Sequence, residues 1–224
     1  MPTLTELIPG SRWVNALSPK ERDKVDCDTM IRTVPKGGHV CHKGEPVQHW
    51  VGVLEGLVKI ATMSAQGKLA AFAGIPAGGW FGEGSLLKDE PRQYEAVALR
   101  ESLIAYVPRT LFLSLLSENT QFGRFLLVQL NERLGLAMSI IEHQRLLGPD
   151  GRVAQCLASL MNPTLYPGLG STLRISQEEI GQLVGLSRQR VNQSLKLLQE
   201  RKLLRTEHLG MTILDLQGLR RFDG

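Results

Sequence analysis

Residues 175–198 have the spacing of two short helices joined by a tight turn. Ser176 and Glu179 stand three positions apart, which is the pattern of a capping box at the start of a helix. Gly185 supplies the backbone freedom that a turn needs, and Ser187 can cap a second helix beginning at Arg188. The stretch therefore predicts a helix-turn-helix, whose second helix fits the major groove of DNA.

The predicted second helix has one apolar side and one polar side. At roughly 100° per residue, Val191, Ser194, Leu195 and Leu198 fall together on the apolar side. Arginine, asparagine and glutamine are the side chains that pair with guanine and adenine edges. We expect base or phosphate contacts from Ser187, Arg188, Gln189, Arg190, Asn192, Gln193 and Lys196. The alternative is an amphipathic helical hairpin with a solvated polar face.

Two short apolar runs follow this helix, over residues 203–206 and 211–214, around a Glu-His-Leu-Gly turn. They predict a β-hairpin with Gly210 at its tip, so that the unit becomes a winged helix. Lys202 and Arg205 are expected to contact phosphates. His208 either joins them or lies in solvent.

The charge of the chain is concentrated toward its C-terminal end. The 224 residues carry a net charge of +4, and from Asp150 onward ten Lys and Arg oppose seven Asp and Glu. That leaves a net charge of only +1 for the first 149 residues. The C-terminal third is therefore the part suited to a polyanion such as DNA.

The remaining composition limits the class of protein. There is no basic segment followed by an apolar core at the start and no apolar run of membrane-spanning length, so we expect a cytoplasmic protein. Cys27, Cys41 and Cys156 are odd in number and scattered, which argues against a disulfide framework.

Residues 33–108 have short apolar or alternating segments separated by glycines. After a short helix over 20–27, this spacing predicts a small antiparallel sandwich or roll. The predicted strands cover residues 39–42, 49–54, 57–62, 70–75 and 96–107.

Residues 109–147 have a helical pattern with a short break at 119–121. Within this pattern, six residues recur at alternating intervals of three and four positions, as in a two-stranded coiled coil. This spacing predicts a dimer interface, here called the seam. The seam consists of Leu127, Leu130, Leu134, Ala137, Ile141 and Gln144. Phe125, Val128, Leu136 and Ile140 lie off the seam and are expected to pack on the roll of the same chain. The alternative is a core helix covered within one chain. Residues 148–151 break the helix and predict a hinge.

The predicted fold class is α+β. Residues 1–108 form N-terminal helices and an antiparallel β-roll or jelly roll, 109–147 a long dimerisation helix, and 148–224 a winged helix-turn-helix domain. In this order the parts resemble the CRP/FNR family of bacterial transcription regulators over essentially the whole chain. The motifs that carry the resemblance are Gly44-Glu45, Val53-x-x-Gly56-x-Val58, Trp80-Phe81-Gly82-Glu83, Gly151-Arg152-Val153-Ala154 and Ile180-Gly181-x-x-Val184-Gly185-x-Ser187-Arg188.

The resemblance implies a homodimer on a two-fold symmetric DNA site, with recognition helices in successive major grooves. It also implies contact with RNA polymerase through the loop 162–170. In the cyclic-AMP receptor type the reading positions are Arg, Glu and Arg, whereas this chain has Arg188, Gln189 and Gln193. Replacing a carboxylate by an amide removes an acceptor for cytosine and suits adenine. We therefore expect a different half-site.

The resemblance also implies a small effector in the roll, such as a cyclic nucleotide. Family members that bind cyclic AMP use Gly-Glu on the ribose and Arg-Ser on the phosphate, and this chain has Gly82, Glu83 and Arg92. Gln93 and Tyr94 stand where the serine and a small residue are expected, and Ala137 and Met138 replace the two hydroxyl residues that hold adenine. Three alternatives stay open: cyclic AMP, another cyclic mono- or dinucleotide, or a buried Glu83–Arg92 ion pair in a roll without ligand.

Other chemistry is not expected. Three scattered cysteines cannot hold an iron–sulfur cluster, and the Cys and His partners of a haem are not recognisable. Strand alternation puts His39 and Cys41 on one face and His42 on the other, so no metal is expected there. No nucleophile elbow or phosphate-binding loop indicates an enzyme. The alternative functions are a nucleotide-binding signalling module or a small roll-type enzyme, both without DNA binding.

Overall fold

The computed structural model describes residues 3–8, 10–63, 69–167, 169–208 and 210–223. Along the chain, a helical N-terminal segment precedes a β-roll, two helices follow the roll, and a winged helix unit completes the chain. Among the helices in these ranges, none has the length and apolar character needed to cross a membrane.

Three helices begin the chain: α1 (Leu4–Leu7), α2 (Arg12–Asn15) and α3 (Pro19–Asp28). The predicted helix over 20–27 corresponds to α3. It starts with a capping box in which the Ser18 hydroxyl accepts from the Glu21 N–H and the Glu21 carboxylate accepts from the Ser18 N–H. Trp13 of α2 is fully buried, so this segment forms part of the roll's core.

The roll consists of two antiparallel four-stranded sheets, as the glycine-punctuated segments predicted. The first sheet has the order β1-β8-β3-β6 and the second β2-β7-β4-β5. Their bounds are β1 (Met30–Val34), β2 (His39–Cys41), β3 (His49–Glu55), β4 (Leu57–Met63), β5 (Leu69–Pro76), β6 (Trp80–Phe81), β7 (Glu95–Ala98) and β8 (Ser102–Pro108). Val51, Val58, Ile60, Ile75 and Ile104 fill the space between the sheets.

The roll differs from the prediction in several places, and one of them is β6, which no predicted strand covers. The predicted strand over 96–107 is two strands, β7 and β8, because the chain leaves one sheet and joins the other between them. No predicted strand corresponds to β1, since its first four side chains are all at least partly exposed and show no alternation of buried and exposed positions. A short helix, α4 (Glu83–Lys88), follows β6.

Two helices leave the roll: α5 (Arg109–Glu118) and α6 (Thr120–Leu146). The predicted break lies at Asn119, whose side-chain oxygen accepts from the Phe122 N–H at 2.9 Å and so caps α6. Phe122 and Leu126 are buried against the roll. The first turns of α6 are thus fixed to the protomer's own core.

The winged helix unit begins with α7 (Pro149–Leu160). It continues with β9 (Thr172–Leu173), α8 (Gln177–Val184), α9 (Arg188–Glu200), β10 (Leu204–Glu207), β11 (Gly210–Ile213) and α10 (Leu216–Arg221). Two predictions need correction. The break predicted over 148–151 is shorter than expected. Only Leu147 and Gly148 lie between α6 and α7, because Pro149 is accommodated at the first helical position of α7. Gly210 pairs with Glu207 as the first residue of β11 rather than forming the tip, and Leu209 lies outside the described residues.

The winged helix unit packs on the roll of its own chain. Leu57 and Leu99 of the roll belong to the same apolar cluster as the core of the unit. Arg100 of the roll pairs with Glu179 of α8, with Nε–Oε1 at 2.8 Å and Nη2–Oε2 at 2.9 Å. The first helix of the helix-turn-helix is therefore held by an ion pair as well as by apolar contact.

Candidate nucleic-acid interface and effector site

The helix-turn-helix has the caps that its sequence predicts. The Ser176 hydroxyl accepts from the Glu179 N–H at 3.2 Å, and the Glu179 carboxylate accepts from the Ser176 N–H at 2.7 Å. Gly185 ends α8 in the left-handed conformation, with φ at 69°. A Cβ on Gly181 would lie 2.6 Å from the Leu186 carbonyl oxygen, so the turn requires glycine there as well.

Helix α9 presents its predicted polar face to solvent. Val191, Ser194, Leu195 and Leu198 are buried against the core of the unit, as the periodicity indicated. The Ser187 hydroxyl accepts from the Arg190 N–H at 3.2 Å and caps the helix. Exposed on the other side are Ser187, Arg188, Gln189, Gln193 and Lys196. The Arg188, Gln189, Gln193 and Lys196 side chains are accessible to base edges and phosphates, while the Ser187 hydroxyl already caps the helix.

Two predicted DNA-contacting residues are engaged within the protein. Arg190 Nη2 donates to Asp150 Oδ2 at 2.8 Å and its Nη1 to the Ser194 hydroxyl at 3.1 Å. This hydrogen bond lowers the pKa of Asp150 and raises that of Arg190. Asn192 Oδ1 accepts from Gln177 Nε2 at 3.3 Å. A DNA contact by either residue would compete with these bonds.

The predicted phosphate-contacting residues lie on the exposed surface of the unit. Lys202 follows α9 in the left-handed conformation, with φ at 59°. Arg205 Nη2 lies 3.1 Å from Glu207 Oε1 across two positions of β10. His208 is exposed at the end of that strand. Lys202 is thus directly accessible to a phosphate, whereas Arg205 forms an ion pair with Glu207.

Helix α6 carries a row of large apolar side chains that the protomer does not cover. Leu127 is 70% exposed, Leu134 60% and Ile141 55%. Ala137 and Gln144 are also exposed, and Leu130 is partly buried. Phe125 and Leu136 instead pack against the roll clusters, while Val128 is exposed. An intramolecular core helix does not have such a row, so that alternative is wrong.

Glu83 in the roll pairs with a residue that the sequence interpretation did not consider. Arg133 of α6 places Nε 3.0 Å from Glu83 Oε1 and donates through Nη2 to the Trp80 carbonyl oxygen. Burial disfavours the Arg133 charge, but Glu83, Tyr166 and Tyr94 together more than offset this effect and raise the pKa of Arg133. The hypothesis of a Glu83–Arg92 ion pair is therefore wrong. Among the described residues, Glu83 Oε2 has no hydrogen-bond partner although it is buried.

Arg92 is buried, and among the described residues no carboxylate forms an ion pair with it. Its Nη2 donates to the His49 carbonyl oxygen at 2.6 Å, and its Nη1 lies 3.5 Å from the Tyr94 hydroxyl. A Cβ on Gly82 would lie 2.0 Å from Arg92 Nη1, so only glycine allows this packing. Arg92 also lines a cavity of about 430 Å³ together with Cys41, Glu45, His49 and Tyr106.

The other predicted effector contacts are not brought together in the protomer. Gln93 is exposed, and its side-chain amide donates to the Pro91 carbonyl oxygen at 2.9 Å. Tyr94 faces Phe81 and Phe72, and burial raises its pKa to about 12. Ala137 and Met138 are exposed on α6.

The loop 162–170, predicted to face RNA polymerase, is anchored to the roll. Leu165 and Tyr166 are buried among the residues between the two sheets, and the Tyr166 hydroxyl donates to the Gly74 carbonyl oxygen at 3.2 Å. Pro163 and Gly170 remain exposed, and Gly168 lies outside the described residues.

Three functional residues were missed for different reasons. Arg133 shares a helical face with Leu136 and Ile140, three and seven positions on, so a charge there signalled a buried anion partner. Asp150 binds Arg190 and Gln177 binds Asn192, and these two residues of α9 lie 40 and 15 positions away in sequence. No local pattern connects residues so far apart.

Comparison with known families matches both parts of the chain. Residues 31–119 match the model of the cyclic nucleotide-binding domain, and residues 151–222 match that of the Crp-like helix-turn-helix domain.

Individual relatives are similar along most of the chain. The cAMP-activated global transcriptional regulator CRP of Haemophilus influenzae is 28% identical over 178 residues, covering 78% of this chain and 79% of that protein. A CRP-like cAMP-activated global transcriptional regulator of Mycobacterium tuberculosis is 29% identical over 191 residues, covering 84% and 85%. The structure of FixK2 from Bradyrhizobium japonicum, 20% identical, aligns with a TM-score of 0.65 over 88% of this chain and 98% of that one.

Proposed function

This chain belongs to the CRP/FNR family of DNA-binding transcription regulators, and we propose that it acts as a homodimer on a two-fold symmetric operator. Base contacts come from Arg188, Gln189 and Gln193, phosphate contacts from Lys196 and Lys202. The observation that carries this proposal is the polar face of α9, which is exposed while its opposite face is buried in the winged helix core.

The dimer is proposed to form through α6. Its exposed row, which includes Leu127, Leu134 and Ile141, has the spacing of a two-stranded coiled coil. Burying such side chains against a second copy contributes roughly 1.5–3 kcal/mol for each one fully covered. We propose three domains, over residues 1–108, 109–147 and 148–224. The middle one is the helical axis between the roll and the DNA-binding unit.

An effector site in the roll is proposed around Glu83 and Arg92. Glu83 Oε2, which is buried and has no hydrogen-bond partner in the described part of the chain, suits a hydroxyl donor such as a ribose, and Arg92 suits a phosphate. The relatives from H. influenzae and M. tuberculosis are both named as cAMP-activated regulators. A cyclic nucleotide is therefore the first class of ligand to test. Ala137 and Met138 replace the hydroxyl residues that would hold adenine, and this favours a base or ligand other than that of cyclic AMP.

Contact with RNA polymerase is proposed for the outer residues of the loop 162–170. Because Leu165 and Tyr166 anchor this loop to the roll, its exposed residues keep a defined position relative to the roll.

Selection of the purified protein on randomised duplex DNA tests the proposed readout. The experiment is run without ligand, with cyclic AMP and with cyclic di-GMP. We expect an enriched palindrome with half-sites about one helical turn apart. The variant Gln193→Ala should lose preference at one position of each half-site, at a cost of about 1–3 kcal/mol for that base pair.

The matched control is Gln217→Ala, which removes an exposed glutamine from α10. It should keep the parental sequence preference. Lys202→Gln should weaken binding to all sequences alike and reduce the salt slope by about one. If Gln189→Ala and Gln193→Ala both retained the parental preference at every position, the assignment of α9 as the reading helix would be wrong.

A further inference from the structure

Three potential metal ligands converge at one edge of the roll, away from the Glu83–Arg133 pair. His39 Nδ1 lies 3.1 Å and His42 Nδ1 lies 3.3 Å from the same oxygen, Glu95 Oε2. The ligand atoms of all three side chains lie within 4.8 Å of one another. Two imidazoles and a carboxylate are therefore already gathered around a common point.

The strand alternation that argued against a metal here does not hold. Strand β2 ends at Cys41, and its pairing with β7 shifts register between His39 and Cys41. His42 lies beyond the shift and turns back, so that its ring stacks on that of His39 with centroids 4.1 Å apart and an angle of 19°. Cys41, unlike the two histidines, is buried in the roll together with Val40. The expected separation of His39 from His42 is thus wrong.

The distances suit a bound cation. Tetrahedral zinc with bonds of about 2.0–2.2 Å to nitrogen and oxygen places its ligand atoms about 3.3–3.6 Å apart. The two Nδ1–Oε2 distances, 3.1 and 3.3 Å, lie at or just below the short end of that range. They exceed the roughly 2.7–2.9 Å typical of charge-assisted hydrogen bonds between such groups.

The carboxylate is oriented by the backbone. The Lys43 N–H donates to Glu95 Oε1 at 3.2 Å, which leaves Oε2 directed at both imidazoles. The loop that carries His42 is fixed as well, because the His42 N–H donates to Glu45 Oε2 at 2.9 Å. Such supporting bonds are typical of metal sites, where outer partners position the ligands.

We propose that His39, His42 and Glu95 bind one divalent cation of the zinc type per protomer. The His39 and His42 side chains are 40% and 51% exposed, so an ion can enter and water can complete its coordination. Imidazole ligands favour zinc, copper, nickel or cobalt over calcium and magnesium.

A cation at this point would join the first residue of β2 and the residue that follows this strand to the first residue of β7. Glu95 stands three positions after Arg92, so the metal would restrain the segment that carries the proposed phosphate ligand. The site depends only on the geometry of the roll and is independent of which effector the roll binds.

Titration of chelator-treated, full-length protein with ZnCl₂ by isothermal calorimetry tests the site. We expect saturation at one ion per protomer, and Co²⁺ should give the intense visible absorption of a four-coordinate site. His42→Ala and Glu95→Gln should each weaken the affinity by more than the roughly 10–100-fold that loss of an outer partner costs. His42 is at the surface, so its variant keeps the fold.

Two controls separate this site from other donors of the chain. His208→Ala removes an exposed histidine of the wing and Cys27→Ser an exposed thiol, and both should leave the affinity unchanged. Absence of saturable Zn²⁺ binding would overturn the proposal and leave a hydrogen-bonded His–Glu cluster. Binding that His42→Ala and Glu95→Gln left intact would overturn it equally.

Discussion

Single residues in the reading helix differ in how freely they can meet DNA. Gln189 and Gln193 have no partner among the described residues that would hold them, whereas Arg190 is tied to Asp150 on α7. That ion pair links α9, the proposed reading helix, to α7, the first helix after the α6–α7 junction. Its contribution to stability must therefore depend on the charge of Asp150.

At the residue scale we expect Asp150→Asn to destabilise the protein by up to about 1 kcal/mol at pH 7, as for other partly exposed ion pairs. The hydrogen bond from Arg190 holds the pKa of Asp150 below its ordinary value. The stabilisation is therefore complete above the ordinary aspartate pKa of about 3.9 and is lost as the pH falls through the lower folded value. Urea unfolding at a series of pH values measures it.

Asp23→Asn is the control, because Asp23 is exposed on α3 away from this pair. Its free energy of unfolding should follow the wild type over the whole series. A deficit for Asp150→Asn that persisted unchanged into strong acid would contradict the role assigned to its charge.

Residue roles were predictable where local periodicity fixed them. The exposed positions Gln189 and Gln193 and the buried Val191 follow from 3.6 residues per turn alone. The partner of Glu83 does not, because Arg133 is 50 positions away and meets it only once α6 packs on the roll. Pairing Glu83 with Arg92 rested on the resemblance, which places both residues at one effector site, whereas the structure pairs Glu83 with Arg133.

At the element scale, α6 has two differently covered sides. Its N-terminal turns bury Phe122 and Leu126 in the roll, while Leu127 and Leu134 face outward. The 3,4 spacing predicted the exposed row because helix geometry is regular, but the expectation that Val128 packs on the roll is wrong, since Val128 is exposed. The short strand β2 was less predictable, since one shift in register reverses which side chains share a face.

We expect Leu134→Lys to convert the protein to a folded monomer, because it places a charge in the centre of the proposed seam without touching the protomer's core. Light scattering after size-exclusion chromatography gives the mass, and circular dichroism the helix content. Operator affinity should fall together with the dimer.

Gln121→Lys introduces the same side chain at an exposed position in the first turn of α6. It should remain dimeric. A Leu134→Lys protein that kept the dimer mass at micromolar concentration would show that the seam lies elsewhere.

At the scale of the whole molecule, the roll and the winged helix unit are joined by a small set of polar contacts around α8. Arg100 is the centre of this set, since it holds both carboxylate oxygens of Glu179 and donates to the Arg174 carbonyl oxygen at 2.7 Å. Lys59 adds a bond of 3.0 Å to Gln182. Both basic residues belong to the roll, so these polar contacts hold α8 against the roll, in addition to the anchor that Tyr166 provides in the loop 162–170.

We expect Arg100→Ala to loosen the unit and to cost about 1.5–3 kcal/mol, the value typical of hydrogen bonds to charged groups. Glu179 would lose its charge partner while remaining mostly buried. Hydrogen exchange should then accelerate in α8, and limited proteolysis should cut faster at Leu147 and Gly148.

Lys36→Ala provides the comparison, because it removes the exposed Lys36–Glu178 pair, 3.5 Å apart, from the same interface. That change should have almost no effect on exchange or cleavage. Equal behaviour of the two variants would mean that apolar contact through Leu57 and Leu99, and not the ion pair, holds the units together.

The aromatic centre of the roll has a practical consequence for observing these motions. All three tryptophans of the chain, Trp13, Trp50 and Trp80, lie in one cluster with ring centroids 4.3–5.2 Å apart. The winged helix unit contains none. Intrinsic tryptophan emission therefore reports on the roll alone. Melting or release of the DNA-binding unit would leave the emission spectrum almost unchanged, so a dye attached to that unit is needed to observe it.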